Sequence, residues 1–546
     1  MDADGRRLEF TYDASGRLSS ALADGAPLVS RMLDFGARTL TLTGRGGHTD
    51  ALVWDGLGRL VERRRDGRTV RWSYNADGLR TSMTHPDDSV TRYEYDTDER
   101  VSAVEHPGLG RATIGRDEIG RVTALDADGL HARWAWDNGR MVAHEVNRRG
   151  FVQSTRLERD RDGRIRAQTV DGIRTEFGYD AAGQLVASRD SEGFTGAWRW
   201  DANGRLTRHE FDGRATEYAY DPAGRLRASR DRHGETVYDY DGGGRRVREA
   251  GPDGERLFGW DGLGRLESVT EVVHDGDRVR ARTRRLDVDP LGELAAVDDL
   301  PVWWDTAAGG GAMAGLGDVP VIDVAGAGVG LGGPEPGWLT GARGVRDGRP
   351  VDPWQGPEPA GPGPQAGGWL PDGVDMTATG GLTVAGMEWM GARVYDPATA
   401  GFLSPDPLPP VLGAGWAANP YSYAGNDPVN LPDRPAPPHR RRHEHLARRP
   451  QDRPGEGRGL GQQQLGVHRR RRRGRGRDRA HVHRRRRRGR ARAHGRVRGP
   501  HVGRGQHRHP EGLQRGRRLG SGRQSAPCRA WPAAAPTPGS GRPPSP

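Results

Sequence analysis

The chain has 546 residues, no lysine among its 84 basic residues, a formal net charge of +11 and a single cysteine, Cys528. One cysteine excludes a disulfide framework and a cysteine-built metal centre, and no apolar run reaches the roughly 18 residues of a membrane-spanning helix. The charge divides at Leu431: residues 432–546 hold 33 arginines against 6 acidic residues, a net of +27, while the first 431 carry a net of −16.

The opening, "MDADGRRLEFTYDASGRL", has no charged-then-apolar leader pattern. It enters directly into a repeat, as expected of an N-terminally truncated piece of a longer protein. An aromatic followed by Asp, then Gly and usually Arg-Leu, recurs at Tyr12, Trp54, Tyr74, Tyr95, Trp136, Tyr179, Trp200, Tyr220, Tyr240 and Trp260, with weaker copies at Arg116 and Arg159. The last five strong copies are 21, 20, 20 and 20 residues apart, a period that signals stacked supersecondary units. Asp and Gly inside "YDxxGRL" supply a side-chain cap and a positive-φ position, so each motif is a predicted turn. The flanks alternate apolar and charged residues, as in "TEYAYDPAGRLRASRD", which predicts one β-hairpin per unit. A single hairpin cannot bury its apolar face; a dozen stacked hairpins can. The predicted fold class is therefore all-β, antiparallel, over residues 1–305.

These copies resemble the YD repeats of the RHS (rearrangement-hotspot) family, which also occur in teneurins and in insecticidal toxin-complex C proteins. The resemblance runs from Tyr12 to Leu294. It implies hairpins that spiral into a long strip forming part of a hollow shell. From 306 to 380 the pattern gives way to Gly, Pro and Ala, the composition of a connector, within which "VPVIDV" is expected to continue the sheet.

Residues 381–431 resemble the RHS repeat-associated core. The matching elements are Arg393 with Tyr395-Asp396-Pro397, Phe402-Leu403-Ser404 with Asp406-Pro407, Asn419-Pro420-Tyr421-Ser422-Tyr423, and Asn426-Asp427-Pro428-Val429-Asn430. One departure is Ala400-Gly401-Phe402, where the family has Gly-Arg-Phe. The resemblance implies aspartyl self-cleavage just after the core, with Asp396 and Asp406 as the carboxylate pair and Arg393 as the charge partner that keeps one of them ionised. Ten residues between the two aspartates suit facing positions on a hairpin. The alternative reading makes both of them turn caps, since each precedes a proline. No cofactor or metal is implied.

After "NDPVNL" the family pattern breaks, and Asp433 meets Arg434 instead of Pro. Read in the neighbouring frame, successive arginine codons become Gly, Ala, Val or Asp codons, and "GQQQLGVH" (Gly461–His468) decodes to ordinary sequence. The tail 432–546 is accordingly read as an out-of-frame translation, and as disordered. At face value it is a basic arm that binds nucleic acid or anionic membranes through counterion release. His439, His443 and His445 have a metal-like spacing but no scaffold to hold them.

The expected function is that of a structural shell fragment of a polymorphic toxin. Its expected partners are an enclosed C-terminal effector, an N-terminal shell or delivery domain, and a cognate immunity protein; the full-length protein is expected to be secreted or surface-borne. The alternative is a nucleic-acid-binding protein or nuclease toxin acting through the basic tail.

Overall fold

The computed structural model describes residues 5, 7–275, 278–308, 311–333, 336–339, 345–346, 349–355, 370–377, 379–411 and 413–431. All of these lie in the first of two units, Met1–Arg453. The arginine-rich tail, with His439, His443 and His445, lies outside the described residues.

Thirty-three strands, from Leu8–Tyr12 to Gly337–Leu339, form one sheet. Each pairs antiparallel with its sequence neighbour, as Thr195–Trp200 does with Leu206–Phe211, and that strand with Arg214–Tyr220. No α-helix occurs among the described residues. Alternation decides the faces: in Thr195–Trp200, Gly196 and Trp198 are buried while Thr195, Ala197 and Arg199 are exposed.

The turn at Asp201 shows how the repeat works. Its Oδ1 accepts the backbone N–H groups of Asn203 (2.9 Å) and Arg205 (3.0 Å), and its Oδ2 accepts Arg205 Nε at 2.6 Å. Gly204 adopts φ 72°, and a Cβ there would lie 2.6 Å from the carbonyl oxygen of Gly415, so both conformation and space demand glycine. The Arg205 guanidinium then stacks 5.0 Å from the Tyr220 ring centroid of the next repeat. Tyr220 Oη in turn donates to the carbonyl oxygen of Leu206 at 2.8 Å. The same stacking joins Arg59 to Tyr74, Arg164 to Tyr179, Arg225 to Tyr240 and Arg245 to Trp260. A register shift just before the aromatic, at Arg199/Trp200 and Ala219/Tyr220, bends each hairpin in the same place.

The strip folds back on itself. Arg45 pairs with Glu267, Arg63 with Asp289 and Arg68 with Asp318, residues 222, 226 and 250 positions apart. Its apolar face is covered by the residues that follow it. Wall residues Val70 to Ala132 cluster with Trp303, Ile322 and Trp338. Leu185 to Tyr238 cluster with Trp354, Tyr395, Phe402 and Tyr423. Phe258 to Leu286 cluster with Leu316, Leu382 and Trp389.

The Gly-rich stretch after 306 differs from a linker. Met313–Leu316, Val319–Asp323, Val329–Leu331 and Gly337–Leu339 are strands of the same sheet, and "VPVIDV" supplies the second of them. Its glycines serve close packing: a Cβ on Gly332 would lie 2.4 Å from the His106 ring, and one on Gly330 would lie 2.4 Å from Leu109. A second, five-stranded sheet contains Val374–Met376, Leu382–Val384, Met387–Met390, Arg393–Asp396 and Gly401–Phe402.

Candidate functional site

The hairpin that carries Arg393 and Asp396 turns tightly at Gly391 and Ala392, with Met390 paired to Arg393. The turn after Asp396 is capped by that residue: Oδ1 accepts the Ala398 N–H at 3.1 Å and Oδ2 accepts the Thr399 hydroxyl at 2.8 Å. Asp406 caps in the same way, accepting the Leu408 N–H at 3.0 Å. Both aspartates therefore serve as turn caps, and each also binds an arginine. Arg393 lies 3.7 Å over the Phe402 ring, with Nη2 3.1 Å from Asp406 Oδ2. Asp396 takes a different cation, Arg246 of the repeat wall, whose Nη1 is 2.6 Å from Oδ2.

Arg246 Nη1 also reaches Glu249 Oε2 at 3.2 Å, and Arg256 pairs with Glu249 on its other oxygen. Arg246 Nη2 donates to the Thr399 hydroxyl at 3.1 Å, and its backbone N–H donates to the Leu403 carbonyl oxygen at 2.9 Å. Two guanidiniums and two carboxyls thus form a buried, charge-balanced square, three members from the wall and one from the hairpin. Burial works to raise the Asp396 carboxyl, but Arg246 and Arg256 overcome it and hold the group below its ordinary range. Burial, reinforced by the Asp396 charge, pushes Glu249 the other way, up. Two carboxyls on one guanidinium thus have opposed proton affinities. In this fold the carboxyl that shares a guanidinium with Asp396 is Glu249, while Asp406 sits with Arg393.

The Asn- and Tyr-rich motifs further on are docking elements. Tyr421 Oη donates to the Gly244 carbonyl oxygen at 2.6 Å, and Asn426 Nδ2 donates to Gln184 Oε1 at 2.7 Å and to the Gly204 carbonyl oxygen at 2.8 Å. Asn430 accepts the Ile165 N–H at 2.7 Å and donates to Tyr179 Oη at 2.9 Å. Tyr395 and Tyr423 stack with ring centroids 3.8 Å apart. No group of three or more His, Cys, Asp or Glu side chains among the described residues is arranged to hold a metal ion.

The sequence profile described as RHS Repeat matches residues 54–90, 74–111, 159–195, 200–236 and 220–256. The chain carries RHS repeats. Its fold matches the Tc holotoxin pore of Photorhabdus luminescens at 14% identity with a TM-score of 0.51, covering 79% of this chain and 26% of that one. Two crystal structures are similar at lower scores. TcdB2-TccC3 without the hypervariable C-terminal region gives 12% identity, TM-score 0.47 and coverage of 79% and 27%. TcdB2-TccC3-Cdc42 gives 13%, 0.42 and coverage of 78% and 30%. The chain therefore spans about a quarter of the length of the solved chain it matches best in score among these three. None of the curated proteins matches it.

The wall residues of the site, Arg246, Glu249 and Arg256, are ones that reading the sequence for the core motif misses, because they lie in the RHS repeats. One signal was present. After Gly-Arg the repeats place an aliphatic residue, as at Leu206, Leu226 and Leu266, whereas "YDGGGRR" places Arg246 there. A buried arginine in an aliphatic slot requires a buried acid.

Proposed function

We propose that this chain is part of the wall of an RHS toxin shell, with residues 381–431 seated on the wall as its core, and that the complete protein encloses and delivers an effector carried beyond the core. The observation that carries this reading is the wrapping of one post-repeat segment by wall strands from three separate stretches of the repeat. An N-terminal delivery domain, a cognate immunity protein and secretion or surface display belong to the same proposal. Its test is protease protection of the residues beyond 431 in the full-length protein. Protection that is lost on denaturation supports enclosure; digestion of that stretch in the native protein overturns it.

Self-cleavage by the core is part of the reading, with Asp396, held ionised by Arg246 and Arg256, and Asp406, paired with Arg393, as the two carboxylates. Support comes from the depressed Asp396 and from the Arg393–Asp406 pair. Intact mass of the purified chain reports the outcome. Cleavage near residue 431 that stops in Asp396→Asn and in Asp406→Asn supports the pair, and a chain that stays whole rejects it. The alternative, nucleic-acid binding through the tail, predicts affinity that collapses between low and physiological salt.

A further inference from the structure

The second position after the motif glycine is aliphatic in most repeats and buried in the later ones: Leu185, Leu206, Leu226 and Leu266 are 0%, 4%, 6% and 2% exposed. Two repeats place an arginine there, Arg80 in "YNADGLR" and Arg246 in "YDGGGRR". Each reaches an aspartate that comes from beyond the repeats. Arg80 pairs with Asp305, which also accepts Trp72 Nε1 at 3.0 Å. Arg246 pairs with Asp396 at 2.6 Å. Each guanidinium also lies over a wall tyrosine, 4.3 Å from the Tyr93 centroid and 4.8 Å from that of Tyr238.

Stability alone does not explain these choices. A leucine, as in the neighbouring repeats, would bury without desolvating a charge, and replacing a buried ion pair by well-packed apolar residues is often neutral or stabilising. What a buried pair supplies is selectivity, because a mismatched charge in such a slot is severely penalised. The wall needs that selectivity. Its repeats are nearly equivalent every 20 residues or so, and an apolar segment laid across equivalent slots has no reason to prefer one register.

We infer that Arg80 and Arg246 are address residues, which select the two wall repeats that receive the post-repeat segment, through Asp305 and Asp396, and exclude seats one repeat away. The inference rests on the reading of that segment as a core seated on the wall. It makes Arg246 a positioning residue for Asp396, so chemistry at Asp396 depends on the wall repeat having folded first.

The test uses the intact chain and hydrogen exchange of two stretches, the hairpin Met387–Phe402 and, as an internal control for wall folding, the strand Val122–Ala127. Arg246→Leu supplies the residue that neighbouring repeats carry. It is expected to lower hairpin protection by roughly 100- to 1,000-fold (about 3–4 kcal/mol) and to leave the control strand unchanged. The double variant Arg246→Leu with Asp396→Leu removes both charges and is expected to regain protection to within about tenfold.

Register is read by a cysteine at Asn426 paired with one at Gln184, its native contact, or at Arg164, the equivalent slot one repeat back. With both addresses intact, only the native pair should cross-link under mild oxidation; in the double variant both pairs should. Hairpin protection unchanged by Arg246→Leu, or a double variant confined to the native cross-link, overturns the inference and leaves the seated core standing. A wild-type hairpin without protection overturns the seated core itself.

Discussion

Arg63 and Asp289 are 226 residues apart in the chain and 2.5 Å apart in the fold. The same guanidinium binds Asp50 at 2.9 Å, Glu293 at 2.6 Å and the Thr306 hydroxyl at 2.8 Å. It is fully buried, and it closes the seam where the strip meets its own later repeats. Arg63→Leu would leave three buried carboxyls with only the more distant Arg65, 3.9 Å from Asp50 and from Asp289, and the expected loss is about 3–5 kcal/mol of stability. Urea unfolding measures it; a midpoint within error of wild type would show that the seam does not hold the wall together.

The repeat turn makes a smaller, graded prediction. Asp221 accepts the Arg225 backbone N–H at 2.9 Å and Arg225 Nε at 2.7 Å. Asp221→Ala strands both donors and should cost about 1–3 kcal/mol. Asp221→Asn keeps an acceptor and should cost less than half as much. Equal losses in the two variants would rule out the cap as the source of the effect.

Asp427 gives the segment around residues 423–431 a pH dependence. Burial raises its carboxyl from 3.8 to about 6, against the pull of the Asn430 hydrogen bonds. The folded chain therefore holds this proton more tightly than the unfolded one. The stabilisation is full below pH 3.8 and is lost as pH rises through about 6, a swing of about 3 kcal/mol. Exchange of residues 423–431 should slow as pH falls from 7 to 5 once the intrinsic rate is corrected, and Asp427→Asn should flatten that response.

His85 works with the opposite sign. Burial lowers it from 6.5 to about 4, and its ring nitrogens lie 2.8 Å from the Ala314 carbonyl oxygen and 2.7 Å from the Thr91 hydroxyl. Its contribution is present above pH 6.5 and is lost as pH falls through about 4, again by about 3 kcal/mol. The strands Arg80–Thr84 and Val90–Tyr95 should loosen over the acid range in which residues 423–431 tighten. Parallel responses in both places would refute one of the two assignments.

Much of this was legible because the repeat writes its chemistry in four or five consecutive residues. Asp201, Gly204 and Arg205 make their turn bonds within the motif, so the hairpins follow from the string itself. The pairing of Arg393 with Asp406 was also within reach, since both lie in one short segment. The partner of Asp396 was not. Arg246 lies 150 residues earlier, and only its place in an aliphatic slot betrays it. The glycines at 330 and 332 misled for a related reason: composition reports conformational freedom, while their use here depends on Leu109 and His106, more than 200 positions away. What the sequence hid was long-range contact.

The wrapping of the post-repeat segment also sets a schedule. Trp72 waits for Asp305, 233 residues later in the chain. At a synthesis rate of about 5–20 residues per second, the early strands leave the ribosome roughly 10–50 seconds before the residues that cover them. Over that interval a growing strip of strands presents an apolar face and an unpaired edge, the two features from which aggregates grow. A wall of this design is vulnerable during synthesis rather than after it, and its yield in a cell should depend on what shields the nascent strip until the last hundred residues of the fold arrive.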